Sequence, residues 1–330
     1  MAIHFVAAKA VHMTNKSNKI HMKPLYILFF FLNLSSFFFS QQNKICFTID
    51  DLPVVNYGIS DTLFQKTILS KLITSFNKNN IPAIGFVNEN KLYTNDTLNS
   101  FQTQLLHEWV MNGYELGNHT FSHIDYNVSN LKEYTTDLER GELITKEILS
   151  QNHQCLKYFR HPFLHVGNSK EKADSLSEYL SRTGYTIAPV TFDSDDYIFA
   201  SAYQKAFVKN DTLVLKQIGK DYITHLQNKI HFYEKQSNTL FGRNIHHILL
   251  LHANLLNADY MDTIAKLFID KQYDFINLDK ALKDELYKTE ITVYGRWGIS
   301  WIDKWALSRG YTKDFFKDEP AIPSYIESYK

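Results

Sequence analysis

Short apolar runs that resemble β-strands alternate with longer amphipathic segments along most of this 330-residue chain. The strand-like runs cover residues 45–49, 82–87, 158–160, 186–190, 248–251 and 273–278. The helix-like segments cover residues 61–78, 101–111, 131–150, 171–183, 212–235 and 258–271. This alternation is typical of βα units whose strands form a parallel sheet, so we predict an α/β fold. In a barrel of such units, polar residues that follow the strand ends gather on one catalytic face.

The N-terminal residues 1–40 predict an exported protein. The apolar stretches 25–32 and 37–39 follow a basic residue, which is the order of a secretory signal peptide. We predict that Met22 is the true start and that residues 1–21 are an upstream extension. The mature protein is then expected to be periplasmic or extracellular, without stable insertion in a membrane after processing.

Cleavage is expected near Gln41, and an uncleaved anchor is the alternative because Phe38 and Ser40 make a poor cleavage site. After the signal we predict one catalytic domain at residues 41–285, since no linker or internal repeat interrupts the alternation. Residues 286–330 form a C-terminal tail.

The tail contains Trp297, Trp301 and Trp305, which are three of the four tryptophans in the chain. Their spacing of four residues predicts that they line one face of a helix. We expect this face to pack the tail on the barrel. The alternative is an aromatic wall that binds a sugar.

Charge and cysteine content narrow the class of protein. The formal net charge is +0, so nothing points to a nucleic acid partner. Of the two cysteines, Cys46 lies in a strand-like run and is expected to be a buried free thiol. A disulfide with Cys155 is the alternative that export would permit. The oligomeric state is left open.

Two segments carry the residue types of a hydrolytic metal site. Asp50 and Asp51 end the first strand-like run, and His119 and His123 open a segment that reads as helical. One carboxylate and two imidazoles suit a divalent ion, above all zinc, and leave a position open for water. The spare carboxylate beside the ligand is then placed to take the proton of that water.

Three further segments place polar groups after strand-like runs, namely residues 160–163, 193–197 and 249–252. With them the chain resembles the polysaccharide deacetylases, carbohydrate esterase family 4. The ordered motifs of that family are T-F-D-D, H-[ST]-x-x-H, R-x-P-[FY], D-x-x-D-W and L-x-L-H. All five have counterparts here, in order, between Thr48 and His252. Ile49 replaces the usual Phe, and Tyr197 stands where Trp is usual.

The resemblance implies a distorted (β/α) barrel of seven to eight parallel strands and one divalent metal, commonly zinc. It implies that the ligands are Asp51, His119 and His123.

The resemblance also implies roles for residues around the metal. Asp50 is the base, His252 is the acid, Arg160 pairs with Asp50, and Asp196 orients His252. The substrate contacts that we expect from it are Phe163, Tyr197 and Leu251.

Other interpretations of these helpers stay open from the residues alone. Arg160 could form a plain structural ion pair, and His252 could be a core histidine. Asp196 could cap a helix while Asp193 or Asp195 takes its role. The histidines that we expect to have no part in the reaction are His161, His165, His246 and His247.

The leading functional hypothesis is a hydrolase that removes N-acetyl groups from a glycan of chitooligosaccharide or peptidoglycan type. One alternative is an esterase that removes O-acetyl groups from a polysaccharide such as xylan. The other is a glycan-binding protein without catalysis, which the presence of Asp50, the ligand candidates and His252 disfavours.

Overall fold

The computed structural model describes residues 42–329, so the predicted signal peptide and its cleavage site lie outside the described residues. The strands are β1 Lys44–Leu52, β2 Ile84–Val87, β3 Tyr93–Thr94, β4 Thr97–Leu98, β5 Glu115–Asn118, β6 Tyr158–Phe159, β7 Thr186–Ile187, β8 Phe192–Asp193, β9 His246–His252 and β10 Asp274–Phe275. The α-helices are α1 Thr62–Asn79, α2 Ser100–Met111, α3 Leu131–Arg140, α4 Leu143–Gln151, α5 Lys170–Arg182, α6 Asp196–Val208, α7 Thr212–Phe241, α8 Leu255–Asp270, α9 Leu278–Ala281, α10 Trp301–Ser308, α11 Lys313–Phe316 and α12 Ser324–Tyr329. Short 3-10 helices cover Glu89–Leu92, Pro162–Leu164 and Glu285–Lys288. Between residues 42 and 329, no helix combines the length and the apolar character needed to cross a membrane.

Eight strands form one parallel sheet. Seven run in the order β7-β6-β5-β2-β1-β9-β8, and β10 pairs with Lys44 and Ile45 at the start of β1. Within the described residues no pairing joins the edge strands β7 and β8, so the sheet curls into an open half-barrel. The predicted α/β fold with a distorted barrel of seven to eight parallel strands is confirmed. The strands β3 and β4 form a separate antiparallel hairpin.

The strand β1 lies near the centre of the sheet and is almost entirely buried. Its near-continuous apolar run is typical of a parallel strand that is covered on both faces. Phe47 packs edge-on against Phe268 and Phe275, each at a ring-centroid distance of 5.4 Å. Cys46 is also buried on this strand, Cys155 is exposed, and both are free thiols. The central strand therefore holds its carboxyl end, with Asp50 and Asp51, in a rigid position.

The long helix predicted after the histidine pair is wrong, because it is two helices, α3 and α4. A Cβ atom on Gly141, between them, would lie 2.5 Å from the backbone nitrogen of Phe121. The loop that carries His119 and His123 thus packs directly against the boundary between α3 and α4. The buried Glu89 accepts hydrogen bonds from the backbone N–H groups of Ile144 and Thr145 at 3.1 and 2.7 Å, at the start of α4. These contacts fix the loop against the helices behind it.

The C-terminal segment packs against the barrel through α10, which contacts α7, and α12, which contacts α6. Trp301 and Trp305 lie on α10 and are buried, whereas Trp297 precedes the helix and is 49% exposed. The predicted single helical face of three tryptophans is therefore wrong for Trp297. The backbone N–H of Trp301 donates to the carbonyl of Val190 at 2.7 Å, between β7 and β8. The tail thus lies along the open seam of the half-barrel, and its boundary near residue 286 stays a prediction.

Candidate functional site

Two neighbouring strands bring a carboxylate and an imidazole to the same edge of the sheet. The strands β1 and β9 run in parallel, and their register pairs Asp50 with His252. The next residue, Asp51, has a positive φ of 66°, a conformation that Asp adopts more readily than most residues. The two adjacent carboxylates therefore lie in different surroundings, with Asp50 buried and Asp51 half-buried.

The histidine pair lies on a loop that follows β5, and not on the helix that the spacing predicts. Thr120 and His123 both have positive φ, at 62° and 56°, which a helix does not allow. The Asn118 side chain accepts from the Thr120 N–H at 2.7 Å and so closes the turn. The Asn88 amide donates to the carbonyl of His119 at 2.6 Å. A hydrogen-bonded loop thus brings both imidazoles together.

The three predicted ligands converge on one point. Asp51 Oδ1 lies 3.8 Å from Nε2 of His119 and 3.8 Å from Nε2 of His123. All three ligand atoms lie within 4.8 Å of one another. His119 Nδ1 is 2.8 Å from the carbonyl of Arg160. That bond assigns the proton to Nδ1 and leaves the Nε2 lone pair free, as a metal-binding histidine requires.

The polar atoms at this point fit a divalent ion. Asp50 Oδ1 and Asp51 Oδ1 are buried and have no hydrogen-bond partner among residues 42–329. Buried oxygens without a partner are costly unless a cation or water satisfies them. A set of one carboxylate and two imidazoles is a common donor set for zinc. The residues present therefore fit the metal that the sequence predicts.

The electrostatic surroundings shift the pKa values of the two adjacent carboxyl groups in opposite directions. Burial raises the pKa of Asp50 to about 6, although the charge of Arg160 opposes the shift. Burial would also raise the pKa of Asp51, but Lys91 and the nearby histidines outweigh it and hold this pKa well below its usual range. The Lys91 ammonium lies 3.8 Å from Asp51 Oδ2 and donates to its backbone carbonyl at 2.8 Å. Asp51 is thus kept anionic, while Asp50 is closer to exchanging a proton.

Arg160 lies fully buried behind Asp50. Its Nη1 atom is 3.9 Å from Asp50 Oδ2, and its Nη2 group donates to Thr48 Oγ1 at 2.8 Å. The guanidinium carbon stands 4.7 Å from the centre of the Phe86 ring. The distance to Asp50 is an ion-pair distance and not a direct hydrogen bond. Arg160 therefore supplies positive charge to Asp50 from a rigid position.

His252 is held by Asp196. Its Nδ1 lies 2.7 Å from Asp196 Oδ1, and its backbone N–H donates to Oδ2 at 2.8 Å. The side-chain amides of Asn254 and Asn257 donate to the same Oδ2. Burial alone would lower the pKa of His252, but Asp196 outweighs it and raises the pKa to about 10. The imidazole is thus cationic, and its Nε2 remains available on the pocket side.

The structure places the neighbouring aspartates elsewhere. Asp195 occupies the position before α6 with a φ of 54°, and its carboxylate contacts His225 and Lys229 at 3.0 Å each. Asp193 is the last residue of β8 and lines the pocket. It pairs with Leu250, which lies two residues before His252 on β9. Of the three aspartates, Asp196 is therefore the one that contacts His252.

A pocket of about 430 Å³ opens above these residues. Phe163 and Tyr197 line it and are 50% and 54% exposed, as expected of residues at a rim. Leu251, which we predicted as a substrate contact, is fully buried in the core, and Leu250 lines the pocket instead. The assignment of Leu251 is therefore corrected, because neighbouring residues of a strand point to opposite faces.

Several lining residues were not predicted to take part: Tyr57, His161, His165 and Gly298. Tyr57 and Gly298 lie in loops without any periodic pattern, so the sequence offers no signal for them. His161 and His165 lie beside the R-x-P-[FY] segment, and that proximity is the signal that could have found them. The other two supposed bystanders lie outside the pocket lining, where His246 contacts the carbonyl of Lys280 and His247 contacts Thr191.

An open parallel half-barrel with an Asp-His-His cluster at the carboxyl ends of its strands defines a class of α/β proteins with a candidate metal centre. Residues 40–188 match the family model described as "Polysaccharide deacetylase". The predicted resemblance is confirmed, since this part of the chain is similar to the polysaccharide deacetylase family. The matched part contains Asp50, the three ligand candidates and Arg160, while Asp196 and His252 lie beyond it. This match supports a hydrolase that acts on acetyl groups of glycans.

Solved structures with a similar architecture include a chitin deacetylase from the fungal pathogen Colletotrichum lindemuthianum, at 18% identity and a TM-score of 0.48, covering 74% of this chain and 89% of that one. A variant of a peptidoglycan deacetylase from Bacillus subtilis is 16% identical, with a TM-score of 0.47 and coverage of 75% and 94%. A family 4 pseudoenzyme from Bacillus anthracis is 17% identical, with a TM-score of 0.47 and coverage of 74% and 66%. No curated protein sequence matches the chain significantly.

Proposed function

We propose that the protein is a metal-dependent hydrolase that removes N-acetyl groups from a glycan of chitooligosaccharide or peptidoglycan type. The observation that carries the proposal is the pairing of Asp50 with His252 on adjacent strands, beside the converging Asp51, His119 and His123. A zinc ion held by these three ligands would polarise the acetyl carbonyl and make water a stronger nucleophile. The residues around these ligands act as the base and the acid of the reaction.

Asp50 acts as the base. A water molecule that attacks the acetyl carbon must lose a proton, and Asp50 Oδ1 is a buried acceptor without another partner in the described residues. The raised pKa of this carboxyl brings it closer to working pH and so makes it a better proton acceptor. Arg160 keeps it ionised before the reaction by its positive charge.

His252 acts as the acid. When the C–N bond breaks, the sugar nitrogen needs a proton to leave as an amine, and acetate is released. Asp196 holds the imidazole in its cationic form, with Nδ1 engaged, so that Nε2 donates this proton. The presence of a cationic acid favours amide hydrolysis over the release of an O-acetyl group, because an alcohol leaves more easily than an amine.

Two variants test these roles. Asp50→Asn removes the proton acceptor, and we expect a loss of about 10²–10⁴-fold in rate on both an N-acetyl chitooligosaccharide and an aryl acetate. His252→Ala should lose a similar factor on the amide and much less on the aryl acetate, whose phenolate leaves without a proton. The exposed His231→Ala on α7 is the control. Equal losses on both substrates for His252→Ala would contradict its role as acid.

Metal content is a separate test. His123→Ala removes one of three ligands, so the purified variant should lose stoichiometric zinc by elemental analysis, while Asp50→Asn should keep it. Full zinc in the His123→Ala protein would show that the ligand assignment is wrong. Acetate release from O-acetylated xylan but not from N-acetyl oligosaccharides would instead favour the esterase.

The location is proposed to be periplasmic or extracellular, on the signal-like sequence at residues 1–40. N-terminal sequencing of the protein from its own host tests it, with a start near Gln41 expected. A soluble cytosolic protein that keeps residues 22–40 would contradict export.

A further inference from the structure

His161 is a buried histidine whose polar atoms have no partner within the described part of the chain. Its side chain is almost completely buried, and neither Nδ1 nor Nε2 forms a hydrogen bond to residues 42–329. Burial, with the charges of Lys304 and Arg160, lowers the pKa of His161 to about 3. The ring is therefore neutral and offers one donor and one acceptor. Buried polar groups in folded proteins nearly always have a hydrogen-bond partner, so we expect one for each of these two nitrogen atoms.

Packing fixes the orientation of this ring. Phe159 contacts it edge-on at a centroid distance of 5.1 Å, and Trp301 of the C-terminal segment lies at 6.3 Å with an interplanar angle of 33°. The ring lines the catalytic pocket of about 430 Å³ and also a second cavity of about 440 Å³ beneath the C-terminal segment. An imidazole held in this way loses little conformational entropy when a ligand binds to it.

The wall around His161 is both polar and rigid. Asp193 lines the same pocket and adds a carboxylate acceptor. Gly298, from the C-terminal segment, lines it too, and a Cβ atom there would lie 2.2 Å from the carbonyl oxygen of Phe163. The pocket lining therefore presents one donor and two kinds of acceptor. Sugar hydroxyl groups, which both donate and accept, match that combination.

We propose that His161 is a substrate-binding residue that hydrogen-bonds an uncharged hydroxyl group of the sugar unit carrying the acetyl group. The C-terminal segment completes this subsite through Trp301, which holds the ring, and Gly298, which closes the wall. The proposal rests on the proposed function for the identity of the sugar. The alternative is that ordered water alone satisfies the two nitrogen atoms.

Kinetics on two substrates test the subsite. His161→Phe keeps the ring size and removes both polar atoms, and we expect KM for an N-acetyl chitooligosaccharide to rise about three- to tenfold with kcat little changed. His161→Gln, which keeps a donor and an acceptor, should recover most of the loss. An aryl acetate, which has no sugar, should be hydrolysed as by the wild type. His161→Leu serves if the Phe variant does not fold.

The matched control is His247→Phe, because His247 is also fully buried, with Nε2 unpaired in the described residues, but lies outside the pocket lining. It should leave KM unchanged. An unchanged KM for His161→Phe would show that only water hydrogen-bonds the two nitrogen atoms. An equal loss of activity on the chitooligosaccharide and on the aryl acetate would show that the ring only supports the position of Arg160. Either result overturns the proposal.

Calorimetric binding of a chitooligosaccharide to the metal-stripped protein separates this proposal from the proposed function. If the wild type binds the glycan but releases no acetate after zinc is restored, the proposed function fails, and weaker binding by His161→Phe still supports the subsite. If binding is equal in the wild type and the variant, the subsite is wrong whatever the activity. Absence of binding in the wild type overturns the subsite as well.

Discussion

Two adjacent aspartates, Asp195 and Asp196, each contact a histidine, yet the two pairs lie in different surroundings. Asp196 Oδ1 lies 2.7 Å from His252, and Asp195 Oδ2 lies 3.0 Å from His225. Partners outweigh burial at both positions and lower the pKa of both carboxyls. By residue type the two pairs are equivalent, so the difference must come from what else surrounds each one.

The hydrogen-bond donors to Asp196 are neutral apart from the imidazole. Its other donors are the amides of Asn254 and Asn257, so His252 carries the positive charge that balances the carboxylate. His252 also lines the pocket, where its second nitrogen can reach a substrate. This combination of a charged imidazole and access to the pocket is what general acid catalysis requires.

Asp195 also contacts a lysine ammonium. Lys229 lies 3.0 Å from Asp195 and 2.9 Å from Glu319, which belongs to the C-terminal segment. His225 is buried against the ring of Phe199 and does not line the pocket. This cluster therefore ties α7 to the loop before α6 and to the C-terminal segment. The comparison teaches that only one of the two Asp–His pairs has an imidazole at the pocket, where the proposed function needs it.

The largest expected effect is on the rate of hydrolysis, through the pair of Asp196 and His252 at the pocket. Asp196→Asn removes the charge that keeps His252 protonated, so we expect the rate of amide hydrolysis to fall by about 10²–10⁴-fold. Aryl acetate hydrolysis should fall less, as for His252→Ala. Circular dichroism and zinc content should match those of the wild type. Asp195→Asn is the control, and an equal rate loss in that variant would erase the functional difference between the two pairs.

The second largest expected effect is on folding stability. It comes from the Lys229 cluster, which consists of Lys229, Asp195, His225 and Glu319. Lys229→Met leaves Asp195 and Glu319 without their shared cation, and removing one partner of a buried ion pair costs about 3–5 kcal/mol in the free energy of unfolding. Urea unfolding measures it, and the rate per folded molecule should stay near that of the wild type. Lys235→Met is the matched control, because its pair with Asp318 is exposed on both sides. A rate loss without a stability loss would place this cluster in the reaction.

The sequence predicted the edge of the sheet at which the site lies. Carboxyl ends of parallel strands share one edge, so Asp50 and His252 were expected on the same edge, and they meet because β1 and β9 are neighbours in the sheet. Residue types alone predicted a metal site, and the choice of Asp51, His119 and His123 as ligand candidates came from the family resemblance. The loop geometry did not, because the turn at Thr120 depends on contacts with Asn118 and Gly141 that spacing does not reveal.

The resemblance pointed to Asp196, but the residues alone left the choice among Asp193, Asp195 and Asp196 open. The helix α6, which Asp196 begins, was not predicted, and strands of two residues such as β8 are too short to show a period. The partners that distinguish the aspartates come from residues 30 to 56 positions further along the chain. Leu251 was assigned to the wrong face of β9 because the motif alone does not say which face of the strand meets the pocket.

The smallest effect concerns the outer end of the Lys229 cluster. The Glu319 side chain is 48% exposed, so water already solvates its carboxylate and screens its attraction to Lys229. Glu319→Gln should therefore lower the free energy of unfolding by less than about 1 kcal/mol, and added salt should shrink the difference. Urea unfolding at low and high salt measures both effects. A loss as large as that of Lys229→Met would show that this single contact anchors the C-terminal segment. In that case the buried contact with Asp195 would no longer explain why Lys229 is retained in the interior.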